Sequence, residues 1–479
     1  MRKEIILLIS RQFLARLFKS RAVYPLLGIM LILLIYAAIS GVSYHDHNHF
    51  REDHQEMARD SWEGNPDKHP HRMAHFGTFA FRLKHPLSMF DFGIESYTGN
   101  AVFLEAHKQN MVNFSEASFS TGLLRFGELS MAMILQTILP LIIFFMGYSA
   151  VVADRENGTL RILLTQGASW KDILFGRSFG LLIGALLFCL PFFLVAAILL
   201  VSEEHVSAEI WMRLMLTMFI YLLFVVVLCF ITIAISVSSR SSKDALVKLL
   251  GLWLLMIVLL PRTAQAVGSY LYPTPTKLEF KSAIEEEVIK NGDSHNPDDP
   301  HFSALKDSVL KANHVNTVEE LPFNYGGFVM AEGERLSAEV YSKHQQQLMD
   351  TYRKQNSFSR VLALANPYLA VKNLSMALSG SDFESYVDFQ NQAEEYRYLM
   401  AQKMNELQMK YIGASVSSSE GKVNVVGREE WRNFPDFEHE QLSLGSVLSA
   451  EVFSLVSILF WMVLAIWMIL SLSKKAKAI

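Results

Sequence analysis

This sequence is short of the residues that build disulfides, phosphate loops and hydrolytic sites. It has two cysteines, Cys189 and Cys229. Both sit inside long apolar runs, which excludes a disulfide framework, argues against a thiolate metal cluster and leaves them as small core residues. No Gly-x-x-x-x-Gly-Lys-Ser/Thr loop occurs, and the pair Gly421-Lys422 lacks the loop around it. The chain therefore has no means of hydrolysing ATP by itself. It contains neither a serine nucleophile elbow nor a His-Glu-x-x-His motif. It is expected not to be an enzyme, and no catalytic residue, metal ligand or cofactor is assigned. Charged residues are scarce at 19%, against roughly 25% in soluble domains. A net charge of -4 gives no reason to expect a nucleic-acid partner.

What the chain has in place of charge is long greasy stretches. Residues are 51% hydrophobic and mean hydropathy is +0.23. Six apolar runs stand out: Tyr24–Val42, Leu129–Val151, Gly180–Leu200, Ile210–Ser236, Leu246–Val267 and Val447–Leu472. Each is long enough to cross a hydrocarbon core about 30 Å thick as a helix. Backbone groups in lipid must be satisfied within the segment, so six runs read as six helices. The expected fold class is an all-α integral membrane protein with six transmembrane helices and two mainly helical extracytoplasmic domains.

Orientation follows from the short loops. Met1–Arg21 carries Arg2, Lys3, Arg11, Arg16, Lys19 and Arg21, between apolar residues at helical spacing. It reads as a retained amphipathic helix over 1–22, lying on the inner membrane surface. Arg155, Arg161, Lys171 and Arg177 follow the second run, and Arg240, Lys243 and Lys248 the fourth. Lys474, Lys475 and Lys477 close the chain, whereas Val201–Glu209 has no Lys or Arg. All basic loops fall on one side, which places both termini in the cytoplasm; the location expected for the protein is the inner membrane of a bacterial cell. The domains expected are span 1 over 23–43, a first outer domain over 44–128 and spans 2–5 over 129–267. A second outer domain over 268–446, span 6 over 447–472 and a tail over 473–479 complete them.

The first outer segment is rich in histidine. If His45-Asp46-His47-Asn48-His49 were extended, its imidazoles would share one face and could take zinc or copper; a solvated polar collar is the plainer reading. His69-Pro70-His71 and His75 read as packed architecture. Glu105, His107 and Glu116 fall on a helix expected over Asn100–Ser118. In the second outer segment the pattern predicts helices over Pro273–Asn291, Pro300–Asn313, Glu332–Asn356 and Asp382–Met409, and a turn or small hairpin over Gly413–Gly427. Pro140, Pro191 and Pro261 predict kinks in the spans, whose apolar interior suits a lipidic, peptidic or otherwise amphipathic cargo.

The most specific stretch is Asp154-Arg155-Glu156-Asn157-Gly158-Thr159-Leu160-Arg161-Ile162-Leu163-Leu164, running on to Arg177. It reads as a span end, a glycine break, a short helix with Leu160, Leu163 and Leu164 on one face, a turn and a re-entry. Glu156, Gly158, Thr159, Leu160 and Leu164 resemble the pattern of type-2 ABC exporter permeases. Arg177 stands where many members carry lysine, which keeps the charge. The outer segments resemble a subgroup of these permeases of unknown function with two long outward insertions, through His69–Gly77, Glu105–Asn110, Leu321–Gly327, Asn366–Leu378 and Phe389–Arg397. The resemblance implies that 153–177 holds a coupling helix seated on a separate ATPase subunit, and that a second permease copy, identical or related, completes the pathway in the lipid bilayer. Its coupling residues would be Asp154, Arg155, Glu156, Gly158, Thr159, Leu160, Leu163 and Leu164. Two other readings stand beside it: a complex that transmits force to envelope partners, and a metal-handling transporter subunit.

Overall fold

Six helices long and apolar enough to span a membrane form the body: Val23–Glu63, Met131–Glu156, Trp170–Val201, Ala208–Ser238, Ser242–Leu271 and Val452–Lys474. The computed structural model describes residues 2–111, 129–203, 206–294, 296, 298–413 and 424–475. Glu116, Glu128, Lys477 and residues 414–423 of the turn or small hairpin expected over Gly413–Gly427 lie outside the described residues. The chain is a multi-pass, all-α membrane protein with a single two-stranded antiparallel sheet among the described residues, Thr78–Phe81 against Ala101–Leu104. The bundle has two ends. One carries the hairpin 152–169 and is called the hairpin end. The other carries both long inter-span segments and is called the head end.

Span 1 is longer than its apolar run. It continues as one helix for 41 residues, about 60 Å at 1.5 Å per residue, so its second half stands in the head. The expected boundary at 43 marks the end of the apolar stretch and not of the helix, because the polar continuation is rich in helix formers and carries pairs such as Arg59–Glu63. This overturns the extended reading of His45 to His49: on a helix, residues two apart face opposite sides. The far end of span 1 is anchored where the Trp62 indole donates to the Trp431 carbonyl at 3.0 Å.

The N-terminal helix, Lys3–Lys19, forms as expected but does not present its whole apolar face to lipid. Gly176, Gly180 and Gly184 make a stripe along span 3, and Ile9, Phe13 and Leu17 lie against it in turn. A side chain at Gly180 would meet the Ser10 carbonyl at 2.8 Å and Phe13 at 2.9 Å. Small residues at this spacing let two helix backbones approach closely.

Span 5 holds a π-turn at Leu254–Leu259, followed by Pro261 in the next helical turn. Proline has no N–H to give the preceding turn, and widening to i→i+5 is a common relief. The Met256 carbonyl in this turn accepts from the Asn366 side chain at 2.7 Å. Asn366 also caps Pro367–Leu378 through the Tyr368 amide, and that short helix packs into the same core as the spans.

The two segments expected as separate domains share one core. Met73, Ala74, Val102 and Leu104 from the first pack with Phe389, Met400, Met404 and Trp431 from the second. The second segment is helical as expected, with Lys277–Asn291, Pro300–Ala312, Tyr325–Leu362 and Phe383–Tyr411. Asp382 caps the last of these, accepting from the Ser385 amide. In the first segment the helix expected over Asn100–Ser118 is absent from its described part, because Ala101–Leu104 pairs as a strand. β-Branched and aromatic residues in that stretch suit a half-buried sheet.

Gly180→Leu is expected to push the N-terminal helix off span 3 and cost about 1–3 kcal/mol by overpacking. A Cβ at Gly251 meets nothing within 4 Å, so Gly251→Ala should leave stability unchanged or slightly raised. Thermal unfolding of the detergent-purified protein, followed by tryptophan fluorescence, checks both.

Candidate functional site

The hairpin is built around one bend. Val152–Glu156 ends at Asn157, Gly158 turns with φ +76, and Thr159–Thr165 begins. Positive φ costs an L-residue with a side chain, so glycine is the residue of choice here. Ser169 then starts span 3 with a capping box, its hydroxyl accepting from the Asp172 amide while Asp172 accepts from the Ser169 amide. Arg2, from the start of the chain, donates to both oxygens of Asp172, at 3.1 Å from its backbone amide and 3.0 Å from its guanidinium.

Three consecutive side chains fix the hairpin to four helices. Asp154 is buried and meets Arg177 of span 3 at 2.5 Å and Arg16 of the N-terminal helix at 2.8 Å. Arg155 donates to the Val237 and Ser239 carbonyls at 2.8 and 2.9 Å, capping the C-terminus of span 4. Glu156 accepts from the Ser242 amide at 2.9 Å and its hydroxyl at 2.5 Å, at the N-terminus of span 5. Arg155 and Glu156 each sit at the helix end that favours them, a cation on free carbonyls and an anion on free amides. The hairpin is thereby in direct polar contact with the N-terminal helix and with spans 3, 4 and 5.

The leucine face is real, but it looks inward. Leu160 is fully buried with Ile9 and Ile173, and Leu163 and Leu164 pack beside them. The outward face carries Arg161, Ile162, Thr165 and Gln166, all exposed, with Ile162 at 55%. Thr159 and Gly158 are half-buried. Of the residues expected to couple, Asp154 and the leucines hold the hairpin together, while Glu156 lies exposed beside the surface that Arg161 and Ile162 present. The 3.6-residue period marks the leucines but does not say which neighbour covers them.

A second feature lies at the head end. A cavity of about 810 Å³ opens between the outer part of span 5, the helices Tyr325–Leu362 and Pro367–Leu378, and residues 93–99. Tyr352, Phe383, Tyr386 and Met376 line it together with Lys372, Asp382 and the pair Arg360–Glu451, the last joined at 2.7 Å. Beside it Asp91 accepts from the Gly93 amide at 3.1 Å and from Gln136 at 3.4 Å. Gln136 also donates to the Tyr221 hydroxyl at 2.8 Å, which lies 3.1 Å from Ser375. Burial pushes the Asp91 carboxyl up, against hydrogen bonds from Ser375, the Gly93 amide and Gln136. Burial pushes the Lys372 amine down, with Asp91 opposing it. Buried polar and charged groups such as Asp91 and Ser375 thus stand beside the spans at this end without belonging to any of them. Asp91 and Lys372 are far from any apolar run in sequence and are folded in by the loop and the short helix that carry them.

The structure also regroups the histidines. His107 does not lie on a helix beside Glu105; it turns with φ +61 and meets His71 and His75 of the helix Pro70–Phe76. Glu334 holds the His107 amide at 2.9 Å and pairs with the buried Arg397 at 2.7 Å. Burial works against ionisation of Glu334, but the bonds from His107 and the charge of Arg397 hold its carboxyl down to about 2.

Among known families, the model for a domain of unknown function (DUF3526) matches residues 277–440. That stretch is the head-end segment from Lys277–Asn291 past Phe383–Tyr411, and it excludes every span. No curated protein matches the chain.

Asp154→Asn should leave Arg177, whose side chain is fully buried, without its full counter-charge at a cost of about 3–5 kcal/mol. Glu156→Gln, at an exposed site, should shift the unfolding midpoint far less. Thermal melts of the two variants in one detergent test the contrast.

Proposed function

We propose that this chain is the membrane-spanning permease half of an ATP-driven exporter of the type-2 ABC class. In this reading the hairpin end faces the cytoplasm of a bacterial cell, where a separate ATPase subunit docks on Arg161, Ile162, Thr165 and Gln166. The head lies outside the cytoplasm, and a second permease copy, identical or related, completes the pathway in the inner membrane. The observation that carries this is the bracing of Val152–Glu156 to four helices by Asp154, Arg155 and Glu156. A stiff short helix so connected converts a push from below into movement of several spans together. Basic residues collect at the same end, on the N-terminal helix, the hairpin and the span 4–5 turn, as they do on cytoplasmic faces.

The head-end cavity supports an amphipathic cargo over a bare ion. Its wall mixes Tyr352, Tyr386 and Phe383 with Lys372 and Arg360, which gives both apolar area and a few fixed charges. The force-transmission reading keeps one specific observation in its favour. The long helix Tyr325–Leu362 is strapped to span 5, where Gln355 donates to the Tyr272 carbonyl at 2.5 Å, and to span 6 through Arg360–Glu451. Cargo accumulation across proteoliposomes on ATP addition separates the two: transport supports the exporter, and hydrolysis without transport supports force transmission.

Ile162→Asp and Arg161→Glu lie on the exposed face, so both variants are expected to melt like the parent. Each should cut co-purification of the ATPase subunit and its ATP hydrolysis at least tenfold. Full association in both variants would remove the docking surface from this hairpin.

A further inference from the structure

We propose that His71, His75 and His107 form a binding site for one divalent transition-metal ion, of the zinc or copper class, on the head. The inference is independent of the transport reading. His71 and His75 are i and i+4 on one short helix, so their imidazoles leave the same face. Their ring centroids are 4.7 Å apart. The ring of His107 lies 5.5 Å from that of His71 and 5.4 Å from that of His75. One ligand nitrogen from each histidine lies within 4.8 Å of the other two. Three bonds of about 2.0–2.1 Å at tetrahedral angles need nitrogens about 3.4 Å apart, so the imidazoles must draw closer to take up an ion.

The backbone brings these groups together on purpose-built terms. His69, the neighbour that could have competed, caps the helix by accepting from the His71 amide at 3.2 Å. The Ala106 amide donates to the Ala74 carbonyl at 3.1 Å and ties the turn at 105–108 to the helix. Within that turn His107 adopts a left-handed backbone, φ +61, a conformation non-glycine residues hold only when their surroundings impose it. Glu334 then sits 3.4 Å from His107 Nδ1. A carboxylate on one ring nitrogen is the usual outer partner of a metal-bound histidine, since it fixes the tautomer and leaves Nε2 for the ion.

Three neutral imidazoles suit zinc and copper far better than magnesium or calcium, which take oxygen ligands. Three protein ligands leave a fourth position for water or another ligand, and of the three histidines His75 is the exposed one. An ion here would lock the helix Pro70–Phe76 to the turn at 105–108. Through Glu334 and Arg397 it would also bear on the helices Tyr325–Leu362 and Phe383–Tyr411.

The test uses the full chain with a histidine-free affinity tag, stripped with chelator and titrated calorimetrically with ZnCl₂ and CuCl₂. The expected result is one ion per chain with Kd of about 10 µM or tighter. His75→Ala and His107→Ala should each weaken it at least tenfold, and the Cu²⁺ electron-spin spectrum should show nitrogen ligation that His75→Ala alters. His49→Ala, on span 1, should bind like the parent. His75 is exposed, so its variant keeps the fold and decides the matter even if His107→Ala does not fold. No binding tighter than 100 µM to the parent overturns the site. Unchanged binding in His75→Ala, or loss of binding in His49→Ala, overturns it equally.

Discussion

The buried pair of Asp154 and Arg177 is the joint on which the hairpin end depends. A guanidinium with no exposed side-chain surface needs a carboxylate, and Asp154 supplies it while also reaching Arg16. Taking two charges out of water is costly, and a buried pair is weak support for stability as such. What it does supply is direction. It joins the span 2 terminus to span 3 and the N-terminal helix, and Arg155 and Glu156 extend the contacts to spans 4 and 5. The leucines under the hairpin complete the joint by leaving no slack between it and Ile9 and Ile173.

The head end follows a different logic. Its polar groups tie loop to span: Asn366 takes up a carbonyl at the π-turn, and Gln136, Tyr221 and Ser375 form a chain around Asp91. These contacts hold the short helix Pro367–Leu378 against spans 4 and 6 and leave the 810 Å³ cavity beside it. Span 1 then carries the connection outward through Trp62 into a core centred on Phe389, Met400 and Met404, while Tyr341, Leu348 and Met349 of the helix Tyr325–Leu362 pack with Phe280 and Val387 in a second one. A protein arranged this way has a stiff element at each end and helices joining them.

Much of this was legible in residue order, and the failures share a cause. Apolar length gave six spans, and periodicity with capping signals gave Pro300–Ala312 and Phe383–Tyr411 to within a few residues. The Asp154–Leu164 motif led to the hairpin. Pattern alone could not show that Leu160 faces Ile9 and not a partner, because amphipathicity reports that a face is covered and not by what. It could not extend span 1 to Glu63, since the change from apolar to polar looks like a helix end. His107 was set beside Glu105 by sequence distance, whereas a single left-handed residue and the backbone bond from Ala106 to Ala74 carry it to His71 and His75. Asp91 and Lys372 were missed for the same reason: burial made by a loop leaves no periodic trace.

We propose that the outward face of the hairpin receives an ATP-hydrolysing partner. A photo-crosslinking amino acid placed at Ile162, with a second copy of the experiment at Leu278 in the head as reference, tests it in native membranes. The account predicts one dominant adduct from position 162, whose partner binds nucleotide, and none of that mass from position 278. No adduct at 162, or the same adduct from both positions, would contradict it.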